Sequence, residues 1–167
     1  MARLKIDTSD VVPERAACCD QDEKPEIYIA SLPGRIEDDK AAFLYATEMD
    51  FVLLSEKIVD ERSLTLDQVE DAGLRYKKWL FLRRKFPGEL MPPPEDIDLI
   101  WHYHILDTHA YFRDTAAILG YYLHHYPYFG NRGPADRQKL DSAFENTKKR
   151  WSEIYTDPLT GQLPKWI

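Results

Sequence analysis

The sequence predicts an all-α protein, a single-domain bundle of about five helices behind an irregular N-terminal arm. From Asp38 onward, apolar residues recur about every 3.6 positions, the spacing that places them on one face of a helix. Residues that cap or break helices separate these apolar stripes. Only residues 26–32 resemble a strand, and no second convincing strand is available to pair with them.

Residues 1–37 are predicted to form the irregular arm. Prolines, charged residues and the adjacent pair Cys18 and Cys19 occur there without a sustained period. Residues 26–32 have the composition of a short strand, but Pro33 stops it at once. An extended segment is therefore an equal alternative.

The first two helices are predicted over residues 38–61 and from Thr65 to about residue 86. The first carries a broad apolar side, as a core helix does. Thr65 and Gln68 match a capping box, in which each side chain bonds the backbone N–H of the other residue. Pro87 and the glycine after it end the second helix.

Three further helices are predicted in the second half of the chain. Pro94 suits the first turn of a helix over about 95–105, because its missing N–H costs nothing there. Asp107 is a favourable N-cap and Gly120 a favourable C-cap for the next helix. A long helix should begin near Pro134 and end near Tyr155. The predicted organisation is an arm at 1–37, a helical domain at 38–157 and a C-terminal tail at 158–167.

Composition restricts the classes of partner. A net charge of −7 and a pI near 5.2 argue against nucleic acid, and no apolar run is long enough to span a membrane. Adjacent cysteines cannot form an unstrained disulfide, and no signal peptide is recognisable, so we expect a cytoplasmic protein. The oligomeric state is left open. One basic group is expected to form a solvated helix face: Lys77, Lys78, Arg83, Arg84 and Lys85.

All five histidines fall within 24 consecutive residues, from His102 to His125. Imidazole is the commonest metal ligand, and it titrates near neutral pH. Several aspartates accompany the histidines along the same stretch. The segment is therefore the candidate functional site, and a metal ion is the ligand that these side chains favour.

Helical geometry limits which side chains can share one ion. Asp98 and His102 are one turn apart on the same face, whereas His104 points almost the opposite way unless the helix unwinds. Adjacent residues usually diverge, so at most one histidine of the later pair should face the site. His104 and His109 are alternatives for a fourth ligand. The candidate metal ligands are His102, His104, His125, Asp98 and His124.

The interpretation that follows is a small metal-binding protein, and a metalloenzyme with a mononuclear His/Asp site is the preferred form of it. The ion would be Zn, Fe or Cu, and the sequence does not decide between redox and hydrolytic chemistry. Asp98, Tyr103 and Asp107 are the candidate catalytic residues, and a small-molecule or peptide substrate is possible. The alternative is a metal-free interaction or regulatory module that uses a groove of histidine and aromatic side chains.

The same segment resembles the glycine-rich-domain-containing-protein-like (GRDP-like) family, in particular its compact bacterial members without the glycine-rich tail of the plant proteins. The likeness extends over about residues 65–155, and it implies no particular activity. His109 falls where the family has no fixed histidine. The positions that carry the resemblance are Asp98, Trp101, His102, His104, Asp107, Thr108, His125, Pro127 and Tyr128.

Overall fold

A computed structural model describes residues 34–161, and these residues form α-helices without any strand. The predicted all-α class is therefore confirmed. The predicted strand at 26–32 and the Cys18–Cys19 pair lie outside the described residues. The helices are α1 (Asp39–Glu48), α2 (Val52–Glu61), α3 (Leu66–Lys85), α4 (Glu95–Leu106), α5 (Thr108–Leu119) and α6 (Pro134–Ile154).

The long helix α3 lies at the centre of the bundle and contacts each of the other five helices of the described region. Tyr76, Trp79 and Leu80 on α3 are fully or almost fully buried. Aromatic side chains of this size remove a large apolar area from water, which is the main stabilising term in folding. The remaining helices are therefore arranged around one aromatic core.

The predicted helix ends are confirmed where they depend on local caps. Thr65 and Gln68 form the reciprocal capping box at the start of α3. Asp107 accepts a hydrogen bond from the backbone N–H of Ala110 at the start of α5. Gly120 ends α5 with φ 82°, a left-handed conformation that glycine adopts without a steric penalty.

One predicted helix is in fact two, and the described region therefore has six helices rather than about five. The prediction of a continuous helix over 38–61 was wrong, because Met49 is extended, with ψ 131°. Asp50 then accepts from the backbone N–H of Val52, and Lys77 Nζ donates to the Met49 carbonyl at 2.6 Å. A side chain on α3 thus supplies a hydrogen bond to a backbone carbonyl at the end of α1. The spacing of apolar residues does not predict this contact.

The basic group at 77–85 is not one solvated face. Arg84 is buried, and its guanidinium bonds Asp39 Oδ1 at 2.8 Å and the Ile118 carbonyl at 2.8 Å. It therefore joins α1, α3 and α5. The prediction holds for Lys85, which is exposed, and fails for Arg84 because a buried guanidinium with several partners is stable.

No helix in the described part of the chain is both long enough and apolar enough to cross a membrane.

Candidate metal centre

Two of the predicted ligands come from α4 and a third comes from the segment that follows α5. Asp98 lies in the first turn of α4, where a carboxylate is favoured by the positive end of the helix dipole. His102 follows one turn later on the same face. His125 lies beyond Gly120, whose left-handed turn ends α5 and returns the chain towards α4.

The three side chains converge. His102 Nε2 lies 2.9 Å from His125 Nε2. One oxygen of Asp98 lies 3.4 Å from His102 Nε2, and the other lies 3.3 Å from His125 Nε2. One potential ligand atom from each residue falls within 4.8 Å of the others.

These separations are those of atoms that share one ion. Two ligand atoms about 2.1 Å from a metal are about 3.0 Å apart at a right angle and about 3.4 Å apart at the tetrahedral angle. The contacts of 2.9, 3.3 and 3.4 Å fall close to that range, and the two Asp98 contacts are made by its two different oxygens. The side chains could therefore bind a transition metal ion with only small adjustments.

The cluster is accessible from solvent. The side chain of His102 is 50% exposed, that of Asp98 is 34% exposed and that of His125 is 19% exposed. Three protein ligands leave at least one coordination position for water or for a substrate. An arrangement of two imidazoles and one carboxylate is typical of catalytic metal sites rather than of closed structural ones.

The loop that carries His125 is held by a buried chain of contacts. The ring of Trp101 packs against that of His125, with 4.7 Å between the ring centroids. Trp101 Nε1 donates to the Tyr111 hydroxyl at 2.8 Å, and that hydroxyl donates to the carbonyl of Leu123. This chain connects the residue before His102 to the residue two positions before His125, and so fixes the separation of the two imidazoles.

His104 lies outside this cluster, although it is one of the predicted metal ligands. It points into the core and is 1% exposed, as the helical spacing from His102 predicts. Its Nδ1 lies 2.9 Å from the Tyr76 hydroxyl, and its Nε2 lies 3.2 Å from Asp114 Oδ2. Burial raises the pKa of the Asp114 carboxyl, but its contacts with His104, Arg113 and Tyr45 outweigh this effect and lower the pKa to about 2.

The other predicted site residues have structural contacts elsewhere. His124 is exposed, and its ring lies against Tyr122. The Tyr103 hydroxyl donates to Glu61 at 2.8 Å. Asp107, placed with Tyr103 in the predicted catalytic set, caps α5 instead.

The roles of Tyr111 and Asp114 were missed. The sequence indicates Tyr111 as a core aromatic residue and as part of the family-like pattern, and Asp114 as a carboxylate near the histidines. The contacts of Tyr111 with Trp101 and Leu123 span 10 and 12 positions of the chain. His104 and Asp114 are likewise ten positions apart and on different helices. No periodicity within one helix indicates such contacts.

The fold and the cluster define an all-α protein with a candidate site of two histidines and one carboxylate. Residues 52–114 match the family described as "Glycine-rich domain-containing protein-like", which confirms the resemblance inferred from the sequence. Asp98 and His102 lie inside the matched segment, whereas His125 lies beyond it.

Two curated proteins of Arabidopsis thaliana are similar to the chain, glycine-rich domain-containing protein 1 and glycine-rich domain-containing protein 2. Each is 33% identical to it over 91 residues, which is 52% of this chain and 11% of the relative. The chain therefore spans about a tenth of the length of these relatives. No solved structure matches the chain.

Proposed function

We propose that this protein binds a single transition metal ion through Asp98, His102 and His125, and that the bound ion makes it a metalloenzyme. The observation that carries the proposal is the convergence of three side chains from two separate parts of the chain, with contacts of 2.9–3.4 Å between their ligand atoms. A pair of histidines alone would be weaker support, because imidazoles also pair in cores. The added carboxylate supplies the negative charge that a divalent cation favours.

The surroundings suit a catalytic ion better than a structural one. The His102 side chain is half exposed, so a substrate could reach a coordination position that the protein leaves open. Bound Zn would supply a nucleophilic water for hydrolysis, and bound Fe or Cu would supply one-electron chemistry. In either case Asp98 would balance the charge of the ion, while the packing of Trp101 on His125 keeps that imidazole oriented.

Metal content tests the proposal. The full chain would be stripped with a chelator, incubated separately with Zn(II), Fe(II) and Cu(II), desalted and measured by elemental analysis. We expect about one equivalent of at least one of these ions, as a mononuclear site requires. Uptake below about a tenth of an equivalent of every ion would contradict the proposal.

Single substitutions assign the site. His102→Ala and His125→Ala should each weaken metal binding by about a hundredfold or more, because each removes a direct ligand. The matched control for His125→Ala is His124→Ala, which changes the neighbouring, exposed imidazole. The matched control for His102→Ala is His109→Ala on α5. Equal metal content in all four variants would show that the ion binds elsewhere.

If the protein is instead a metal-free recognition module, the same experiment should give the opposite result. The protein would then take up no ion, and a chelator would leave its melting temperature unchanged. If an ion is bound, the chelator should lower that temperature, because a ligand of the folded state stabilises it by mass action.

A further inference from the structure

We propose that Tyr76 is a redox-active tyrosine that passes one electron to an oxidant at the metal centre through Trp79 and Trp101, while its phenol proton moves to His104. The inference rests on the proposed function in one respect, namely that the natural oxidant is generated at the metal. The proposal assigns a role to Tyr76 and His104, two buried polar side chains that do not belong to the metal centre.

The first observation is the environment of the phenol. Tyr76 is fully buried, and its hydroxyl lies 2.9 Å from His104 Nδ1, which is also buried. The other ring nitrogen of His104, Nε2, lies 3.2 Å from Asp114 Oδ2. These contacts connect phenol, imidazole and carboxylate in one line inside the core.

This line suits proton-coupled oxidation. Burial raises the pKa of the Tyr76 phenol well above its ordinary value, so the group enters the reaction as a neutral phenol. A phenol that loses an electron becomes a very strong acid and must release its proton to a nearby base. His104 Nδ1, 2.9 Å from the hydroxyl, is the side-chain base in contact with it.

The second observation is an aromatic path from Tyr76 to the metal centre. The ring centroids are 6.1 Å apart between Tyr76 and Trp79, and 4.9 Å apart between Trp79 and Trp101. Trp101 in turn lies 4.7 Å from the ring of His125, a proposed ligand. Tryptophan and tyrosine are the side chains most easily oxidised by one electron, so each step of this path connects groups that can carry the charge.

Four other tyrosines of the described region have hydroxyl partners of a different kind. Tyr155 donates to the backbone carbonyl of Lys78, and Tyr111 donates to that of Leu123. Neither carbonyl can accept a proton to form a stable cation. Tyr45 donates to Asp114 at 2.6 Å and Tyr103 donates to Glu61 at 2.8 Å, so these two tyrosines, each bonded to a carboxylate, are the competing candidates.

The reaction balances with hydrogen peroxide as the co-reactant. The peroxide O–O bond breaks, and two electrons and two solvent protons convert the molecule into two waters. Tyr76 supplies one of these electrons, and Fe(II), held by Asp98, His102 and His125, would supply the other. The Tyr76 O–H bond breaks to give a neutral phenoxyl radical, and the proton is retained on His104. The stored radical equivalent would be available to oxidise a small organic substrate.

The test places an oxidant at the site without any metal. A thiol-reactive ruthenium photosensitiser would be attached to His102→Cys in a chain that also carries Cys18→Ser and Cys19→Ser. Flash oxidation with a cobalt(III) quencher should then produce a neutral tyrosyl radical, detected by its visible absorption and its electron paramagnetic resonance spectrum. Tyr76→Phe should abolish this signal. Tyr155→Phe, the matched control, and the variants of the two competing candidates, Tyr45→Phe and Tyr103→Phe, should leave it intact.

Two further variants test the route. His104→Gln retains a polar side chain but removes the base, and it should slow radical formation by about a hundredfold, the scale of general-base assistance. Circular dichroism would first confirm that this variant folds. Trp79→Phe removes the oxidisable intermediate without removing an aromatic ring, and it should also decrease the rate of radical formation, which tests the path even if His104→Gln fails to fold.

The outcomes separate this inference from the proposed function. A radical that persists in Tyr76→Phe, or that disappears in Tyr45→Phe, would overturn the assignment to Tyr76 whether or not the protein binds metal. A radical at Tyr76 in a protein that takes up no ion would refute the metal proposal alone, because the photosensitiser needs no metal.

Discussion

Trp101 Nε1 donates a hydrogen bond to the Tyr111 hydroxyl at 2.8 Å, and this bond joins α4 to α5 beside the candidate metal centre. Because the same hydroxyl donates to the carbonyl of Leu123, Tyr111 is the link between the helix that carries His102 and the loop that carries His125. Each polar group in this chain is buried, so loss of the central hydroxyl leaves a donor and an acceptor unsatisfied.

Tyr111→Phe should therefore weaken metal binding although Tyr111 is not a ligand. We expect a loss of about tenfold or more in affinity, the effect seen when outer partners of metal ligands are removed. The free energy of unfolding should also fall by about 1–3 kcal/mol. Competitive titration with a fluorescent metal indicator and urea denaturation measure the two effects. Tyr155→Phe, which also removes a hydroxyl bonded to a carbonyl, should decrease stability without changing metal affinity.

Stability should depend on pH through Asp114. Its pKa in the folded protein is about 2, below the value of about 3.9 expected in the unfolded chain. The resulting stabilisation is present above about pH 4 and is lost as the pH falls towards 2, and it amounts to roughly 2 kcal/mol.

Denaturant unfolding of the wild type and of Asp114→Asn between pH 5 and pH 2 measures this dependence. The variant should be less stable at pH 5, and its stability should fall less steeply with decreasing pH. Asp141→Asn, at an exposed carboxylate, should follow the wild-type curve. Parallel curves for the wild type and Asp114→Asn would contradict the lowered pKa.

Gly120 should tolerate substitution less well than Gly88. Both have positive φ, 82° and 81°, so alanine costs about 1–2 kcal/mol at either position. A Cβ on Gly120 would also lie 2.7 Å from Arg35 Cδ, whereas a Cβ on Gly88 meets nothing within 4 Å. Thermal unfolding should therefore show a larger decrease in Tm for Gly120→Ala. An equal decrease would show that Arg35 moves aside without cost.

The buried ion pair between Arg75 and Asp96 should contribute strongly to folding. Both side chains are almost fully buried, and Asp96 lies at the start of α4 against the centre of α3. Asp96→Ala should decrease the free energy of unfolding by about 3–5 kcal/mol, because it leaves the guanidinium buried with less compensation. Urea denaturation would measure this. The exposed pair between Arg137 and Asp141 is the comparison, and Asp141→Ala should change the free energy by less than about 1 kcal/mol.

Features that depend on a few neighbouring residues could be predicted from the sequence. Thr65 with Gln68, Asp107 and Gly120 define helix ends through contacts within one turn, and the structure confirms them. The break between α1 and α2 could not be predicted in this way. It depends on Lys77, 28 positions beyond the Met49 carbonyl that it bonds.

For the candidate site, too, the sequence predicts the contacts within one helix but not those between separate elements. The spacing of Asp98 and His102 indicates a shared helix face, and the same geometry excludes His104 from it. Which of His124 and His125 turns towards that face depends on the path of the loop, which the contacts of Trp101 and Tyr111 determine. Those contacts are tertiary and leave no local pattern.

Anomalous X-ray scattering from crystals of the metal-loaded protein tests the central claim most directly. Data collected on either side of the absorption edge of the bound ion locate that ion without reference to any activity. We expect one anomalous peak per chain, about 2.0–2.2 Å from His102 Nε2, from His125 Nε2 and from a carboxylate oxygen of Asp98. A peak at His104, His109 or His124 instead, or no peak in crystals grown with excess metal, would contradict it.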